Sequence, residues 1–97
     1  MQNLEKVKQV LADRKNFLHD KFYVREIGIF GSYVFGTQDA NSDLDILVEF
    51  YKPIGFFAFI DLENYLKDLL GVKVDLVSKK ALKPTIGKYI LNEVIMV

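Results

Sequence analysis

Three aspartates lie in stretches of the sequence that otherwise predict buried β-strands. Asp43 and Asp45 begin the apolar segment DLDILVEF, and Asp75 interrupts the apolar segment VKVDLV. Aspartate is disfavoured in strands, and residues i and i+2 of a strand point to one face, roughly 6.7 Å apart along the chain. Two carboxylates held side by side repel each other unless a cation lies between them. If Asp75 joins the pair, this acidic face could hold one or two Mg²⁺ ions, with water and phosphate oxygens as further ligands.

Each aspartate taken alone has a simpler interpretation, as a turn residue or a solvated group at a strand edge. The combination favours a metal site, because the residues on the opposite side of each strand are apolar. The chain has no cysteine and a single histidine, so a thiolate site and a multi-histidine site are both excluded. Any metal bound here must therefore use carboxylates, which suit hard divalent cations.

A glycine-serine pair, Gly31 and Ser32, follows the β-rich segment VREIGIF. Such a turn exposes backbone N–H groups and a hydroxyl, which can hold phosphate oxygens. Gly31 and Gly36 have the glycine spacing of a P-loop, but Thr37 and Gln38 stand where that loop carries its lysine and serine or threonine. The dinucleotide-binding pattern GxGxxG does not occur. Both of those phosphate-binding classes are therefore excluded.

The elements that must position these residues follow from apolar periodicity and from turn residues. The pattern predicts an amphipathic helix over roughly residues 2–18, strands over Val24–Phe30, Asp43–Phe50 and Val72–Val77, helices over Phe56–Leu70 and from Pro84 to about Asn92, a short helical piece over residues 33–36, and a short extended tail over residues 94–97. This order predicts one domain over residues 1–97 of the α+β (mixed α/β) class, with a small sheet covered by helices.

The composition excludes several classes of function. Thirteen Lys and Arg balance thirteen Asp and Glu among the 97 residues, so direct nucleic-acid binding is not expected. The longest apolar run, residues 54–60, is too short to span a bilayer, and no signal-peptide block precedes it. We therefore expect no membrane association and a cytoplasmic location, which the absence of cysteine also fits.

Taken together, Gly31-Ser32, ten further residues, Asp43-x-Asp45 and the later Val74-Asp75-Leu76 resemble the signature of the nucleotidyltransferase superfamily, specifically of the minimal nucleotidyltransferase (MNT) family. The likeness covers about residues 24–97. It implies a palm-like fold, in which a small mixed sheet is flanked by helices. It also implies that Gly31 and Ser32 contact nucleotide phosphates and that Asp43 and Asp45 hold catalytic Mg²⁺, as two ions when nucleotide is bound. Asp75 would complete the metal site and help to activate the attacking hydroxyl.

The resemblance further implies a function. Stand-alone members of the family are typically antitoxins that pair with a HEPN-domain toxin, a helical RNase, and silence it by moving AMP from ATP to one of its tyrosines. We therefore expect a magnesium-dependent adenylyltransferase in a hetero-oligomer with such a toxin. Transfer to a small molecule usually needs an added acceptor-binding domain, for which 97 residues leave no space.

One departure from the family pattern supports a second hypothesis. Phe35 stands where many members carry an arginine, and a phenylalanine cannot supply a cation to a phosphate. A nearby lysine, among Lys79, Lys80, Lys83 and Lys88, could take its place. Without such a substitute, the chain would be a non-catalytic antitoxin that neutralises its toxin by direct contact.

Overall fold

The computed structural model describes residues 2–97. In chain order its elements are helices α1 (Leu4–Asp13) and α2 (Lys15–Phe22), strand β1 (Val24–Phe30), the short helix α3 (Ser32–Phe35), strand β2 (Leu44–Phe50), helix α4 (Phe56–Leu70), strand β3 (Val74–Ser78), a 3-10 turn (Lys79–Ala81), helix α5 (Pro84–Glu93) and strand β4 (Ile95–Met96). Within these residues no helix has the length and apolar character that a bilayer crossing requires. The predicted order of helices and strands is confirmed, apart from the N-terminal helix.

The four strands form one mixed sheet in the order β3-β2-β1-β4. Strand β1 is antiparallel to both β2 and β4, whereas β2 and β3 are parallel. Parallel neighbours require a long crossover connection, which α4 provides between β2 and β3. A small mixed sheet flanked by helices was predicted, and this fold class is confirmed.

One face of β2 forms the centre of the hydrophobic core. The side chains of Leu44, Ile46 and Val48 have no exposed surface, and each contributes about 1.5–3 kcal/mol by its burial. They pack in one cluster with leucines and a valine from α1, α2 and α4, namely Val7, Leu11, Leu18, Leu62, Leu66 and Leu70. No polar or charged residue in the described part of the chain is buried. Alternation along the strand therefore places Asp45 on the face opposite this core.

The prediction of a single helix over residues 2–18 was wrong. The backbone breaks at Arg14, whose φ of −107° and ψ of 5° leave the helical region, and α2 then continues to Phe22. Neither glycine nor proline marks this break in the sequence. Leu18 is nevertheless fully buried, so the apolar spacing indicated the correct face although the helix is discontinuous.

Two strands begin later than predicted. β2 starts at Leu44 because the Leu44 N–H donates to the Lys73 carbonyl oxygen at 2.8 Å, so pairing with the β3 side begins there. Asp43 consequently lies just before the strand rather than within it. β3 starts at Val74 and ends at Ser78. Both differences leave the faces of Asp45 and Asp75 unchanged.

Candidate active site

The sheet register brings the predicted aspartates to one place. Asp45 lies opposite Asp75 in the parallel pairing of β2 with β3, and opposite Phe30 in the pairing with β1. Paired residues on neighbouring strands are about 4.8 Å apart and share a face. Asp43 is exposed and immediately precedes β2, two residues from Asp45. The three aspartates therefore gather at the start of β2, beside the turn at Gly31 that follows Phe30.

Like charge surrounds the Asp45 carboxylate. Burial raises the pKa of Asp45 from its ordinary 3.8 to about 6, together with the negative charges of Asp75, Asp43 and Glu93. Across residues 2–97, none of the three aspartates forms an ion pair with a basic side chain. The ionised site is therefore electrostatically strained, and a cation bound beside Asp45 would relieve the repulsion.

The donor chemistry of this cluster fits Mg²⁺. Carboxylate oxygens are the hard ligands that this ion takes, usually from one or two side chains together with water and substrate phosphates. Within the described residues no group of three or more acidic, histidine or cysteine side chains is already spaced as a ligand set. The cluster thus matches an ion that arrives with a nucleotide better than one held in a protein-only cage.

Gly31 packs directly against Asp45, and only glycine fits there. Its φ of 79° lies in the left-handed region that favours glycine. A Cβ at this position would overlap Oδ2 of Asp45. The Gly31 carbonyl accepts a hydrogen bond from the Val34 N–H at 3.0 Å, which closes the turn into α3. The half-buried Ser32 begins that helix, so both residues of the predicted phosphate-binding pair lie next to the aspartates.

Glu93 also belongs to this region, and the sequence interpretation missed it. The Gly31 N–H donates to Oε1 of Glu93 at 3.1 Å, across 62 positions of the chain. Glu93 also adds to the negative charge that raises the pKa of Asp45. A signal was present, since a glutamate interrupts the apolar C-terminal segment YILNEVIMV, but no short motif connects it to Gly31.

The side chain that stands where many members of the family carry an arginine has no charge with which to bind phosphate. Phe35 ends α3 and is 64% exposed. Among the candidate substitutes, Lys79 approaches Glu49 at 3.8 Å, and Glu49 lies four residues along β2 from Asp45. Lys79 therefore lies beside the opposite end of β2 and does not supply the positive charge that the arginine would bring to the phosphates.

Comparison with known proteins shows the family to which this chain is related. The sequence model of a family described as "Nucleotidyltransferase domain" matches residues 6–97. The protein adenylyltransferase MntA of Thermococcus cleftensis is 48% identical over 97 residues, which cover all of this chain and 98% of that protein. The similarity therefore spans the whole chain rather than the motif alone.

Solved structures of the same architecture include one assigned as a minimal nucleotidyltransferase. It is 32% identical, with a TM-score of 0.75 over 92% of this chain and 93% of that one. A crystal structure of a toxin–antitoxin with AMP-PNP is 27% identical, with a TM-score of 0.71 over 98% of this chain and 72% of that chain. Both share the mixed sheet and its flanking helices with the chain described above.

Proposed function

Because the chain belongs to the nucleotidyltransferase domain family, we propose that it is the antitoxin of a toxin–antitoxin pair and silences its toxin by adenylylation. The reaction moves AMP from ATP, with Mg²⁺, to a tyrosine hydroxyl of a helical HEPN-type toxin. The acceptor class follows the 48% identical adenylyltransferase, and the pairing with a toxin follows both the MNT resemblance and the similar toxin–antitoxin structure. We place the reaction in the cytoplasm, where ATP is supplied.

The pairing of Asp45 with Asp75 beside the Gly31 turn is the observation that carries this proposal. Nucleotidyl transfer is an in-line displacement at the α-phosphorus, and it needs alignment and charge neutralisation more than covalent help from the protein. Clustered carboxylates at one end of the sheet, next to a phosphate-binding turn, suit both alignment and charge neutralisation. Within residues 2–97 no basic side chain forms an ion pair with these carboxylates, which suits a site completed by magnesium and nucleotide.

We take the residue roles from the nucleotidyltransferase resemblance, and these positions support them. Gly31 and Ser32 contact the nucleotide phosphates. The Ser32 N–H and hydroxyl donate to them, and Gly31, whose own N–H is bonded to Glu93, lets the phosphates approach the backbone closely. Asp43 and Asp45 would hold Mg²⁺. When bound, the metal would neutralise charge on the phosphates and on the oxygens that enter and leave.

Asp75 completes the site on the neighbouring strand. Its carboxylate takes the proton of the attacking hydroxyl as the new oxygen–phosphorus bond forms. The bond between the α-phosphorus and the bridging oxygen breaks at the same time, and pyrophosphate leaves. The exposure of Asp75 leaves its carboxylate accessible to an acceptor on another protein.

The test is incubation of the purified chain with the product of its neighbouring gene, Mg²⁺ and labelled ATP. We expect the partner to gain the mass of AMP units on tyrosine, and we expect Asp45→Asn to abolish this gain. Glu49→Gln is the matched control, because it neutralises a carboxylate on the same face of the same strand. Labelling that persists in Asp45→Asn would contradict the assignment of the site.

Phe35 favours a second candidate function, that of an antitoxin that acts by contact alone. An exposed phenylalanine in place of an arginine removes one phosphate contact and offers apolar surface to a partner. The same purified pair distinguishes the two functions. Neutralisation of the toxin that survives the double variant Asp43→Asn/Asp45→Asn would favour contact, whereas its loss would favour adenylylation.

A further inference from the structure

Glu93 connects the end of α5 to the nucleotide-binding turn. Oε1 of this half-buried side chain accepts the Gly31 N–H at 3.1 Å. A hydrogen bond from a backbone N–H to a carboxylate is charge-assisted and stronger than a neutral one. The bond therefore holds the first residue of the turn from a distant part of the chain.

The backbone around Glu93 is fixed by the sheet. Glu93 ends α5, and the strand that follows pairs with β1, with Ile95 opposite Ile29. The Val97 N–H donates to the Ile27 carbonyl oxygen at 2.9 Å, which extends this attachment to the last residue. The glutamate is therefore presented to the end of β1 by paired backbone rather than by a free tail.

Gly31 is consequently held from two sides. Asp45 packs where a Cβ would be, and Glu93 binds the N–H. The next donors along the chain are the N–H and hydroxyl of Ser32, to which the proposed function assigns the phosphates. A small rotation of Gly31 would redirect both of these donors, because they follow it directly.

We propose that Glu93 is a positioning residue, whose carboxylate oxygen fixes the Gly31 N–H and so orients the turn for the nucleotide phosphates. This inference rests on the proposed function, since it presumes that the turn binds nucleotide. The acceptor oxygen gives Glu93 this role. Its negative charge strengthens the hydrogen bond but also repels an incoming triphosphate, so the two effects of the charge oppose each other.

Glutamine at this position separates the two properties, because it keeps the acceptor oxygen and removes the charge. The experiment measures binding of AMP-PNP with Mg²⁺ by calorimetry, so it needs neither a toxin nor turnover. We expect Glu93→Ala to weaken binding about 10-fold, the loss of one hydrogen bond to a charged group. We expect Glu93→Gln to stay within about threefold of the unmodified chain, on the same scale. Asn92→Ala, at an exposed neighbouring position of α5, is the control for the helix end.

Other outcomes overturn the proposal. Equal weakening by Glu93→Gln and Glu93→Ala would mean that the site uses the charge, as a cation ligand would. Tighter binding by both variants would mean that Glu93 competes with phosphate for the Gly31 N–H. If Glu93→Ala does not fold, as judged by circular dichroism, Glu93→Met replaces it, because methionine keeps the length and apolar stem without a strong acceptor.

The same measurement separates failure of this inference from failure of the proposed function. If the unmodified chain does not bind AMP-PNP, the proposed function is wrong and the role of Glu93 is wrong with it. If the unmodified chain binds and Glu93→Ala binds equally well, only the role of Glu93 is wrong.

Discussion

Two carboxylates on the same face of β2 differ in whether a basic side chain compensates them. Glu49, near the end of the strand, lies opposite Glu26 of β1 but has Lys79 at 3.8 Å. Asp45, near its start, lies opposite Asp75 and is close to further negative charges that raise its pKa. Both side chains are half-buried and the two positions are four residues apart, so neither exposure nor strand face explains the difference.

The difference separates the part of the strand built for stability from the part built for a ligand. A basic side chain close to a half-buried carboxylate, as Lys79 is to Glu49, is expected from the requirements of stability alone. The acidic end gains nothing for the fold, because clustered like charges lower stability. Sites that break such a rule are expected where function requires it, and here the missing positive charge would come with magnesium and nucleotide.

The largest effect is expected from removing single charges, one in the acidic cluster at the start of β2 and one at Glu49 near its end. Asp75→Asn should lower the rate of AMP transfer about 10²-fold or more, as the loss of one electrostatic group in an active site does. Glu49→Gln should leave the rate within about twofold, since half-exposed ion pairs contribute little. Initial rates of partner labelling, with both variants checked by circular dichroism, make the measurement. Equal rates for the two variants would remove Asp75 from the site.

A smaller effect is expected when the Asp45 carboxylate is displaced instead of neutralised. Gly31→Ala adds a Cβ that overlaps Oδ2 of Asp45, and its φ of 79° with a ψ of −152° adds backbone strain, so we expect a loss of about 2 kcal/mol in stability. Gly36→Ala is the control for a positive φ alone, because its φ of 70° and ψ of 21° are the left-handed helical conformation and nothing lies within 4 Å of the added Cβ. It should cost about 1 kcal/mol. Urea unfolding measures both, and equal losses would show that Asp45 does not press on Gly31.

The sequence predicted the acidic cluster at the start of β2 better than it predicted the contact of Glu93 with the neighbouring turn. Alternation along two short strands was enough to place Asp45 and Asp75 on one face, because strand periodicity is local. The register that places Asp45 opposite Asp75 depends on the α4 crossover. The sequence alone did not establish that β2 and β3 are neighbours. Glu93 could not be predicted, since its contact with Gly31 depends on β4 pairing with β1 across the whole chain.

Local signals also failed at a helix. The break at Arg14 has no glycine or proline, so apolar spacing predicted one continuous helix where the structure has two. The boundaries of α4 were predicted correctly, because Gly71 with a φ of 68° ends it in the left-handed conformation typical of helix ends. Helix ends marked by backbone requirements are readable from sequence, and breaks imposed by packing are not.

The smallest expected effect reverses sign between the two ends of β2. The folded state binds the Asp45 proton more tightly than the unfolded chain does, because its pKa is about 6 instead of 3.8. Ionisation of Asp45 therefore lowers the free energy of unfolding as the pH rises from about 4 through about 6. Asp45→Asn removes this loss. Its free energy of unfolding should therefore exceed that of the unmodified chain by about 1 kcal/mol more at pH 7 than at pH 4, after discounting for partial exposure.

Glu49→Gln should instead lower the free energy of unfolding at pH 7, by less than about 1 kcal/mol, because it removes the interaction with Lys79. Urea unfolding in EDTA at both pH values makes the comparison, since chelation keeps any cation from screening the aspartates. Added Mg²⁺ should reduce the advantage of Asp45→Asn by neutralising the charge that the substitution removes. A destabilised Asp45→Asn at pH 7 would mean that the acidic end of β2 is compensated after all.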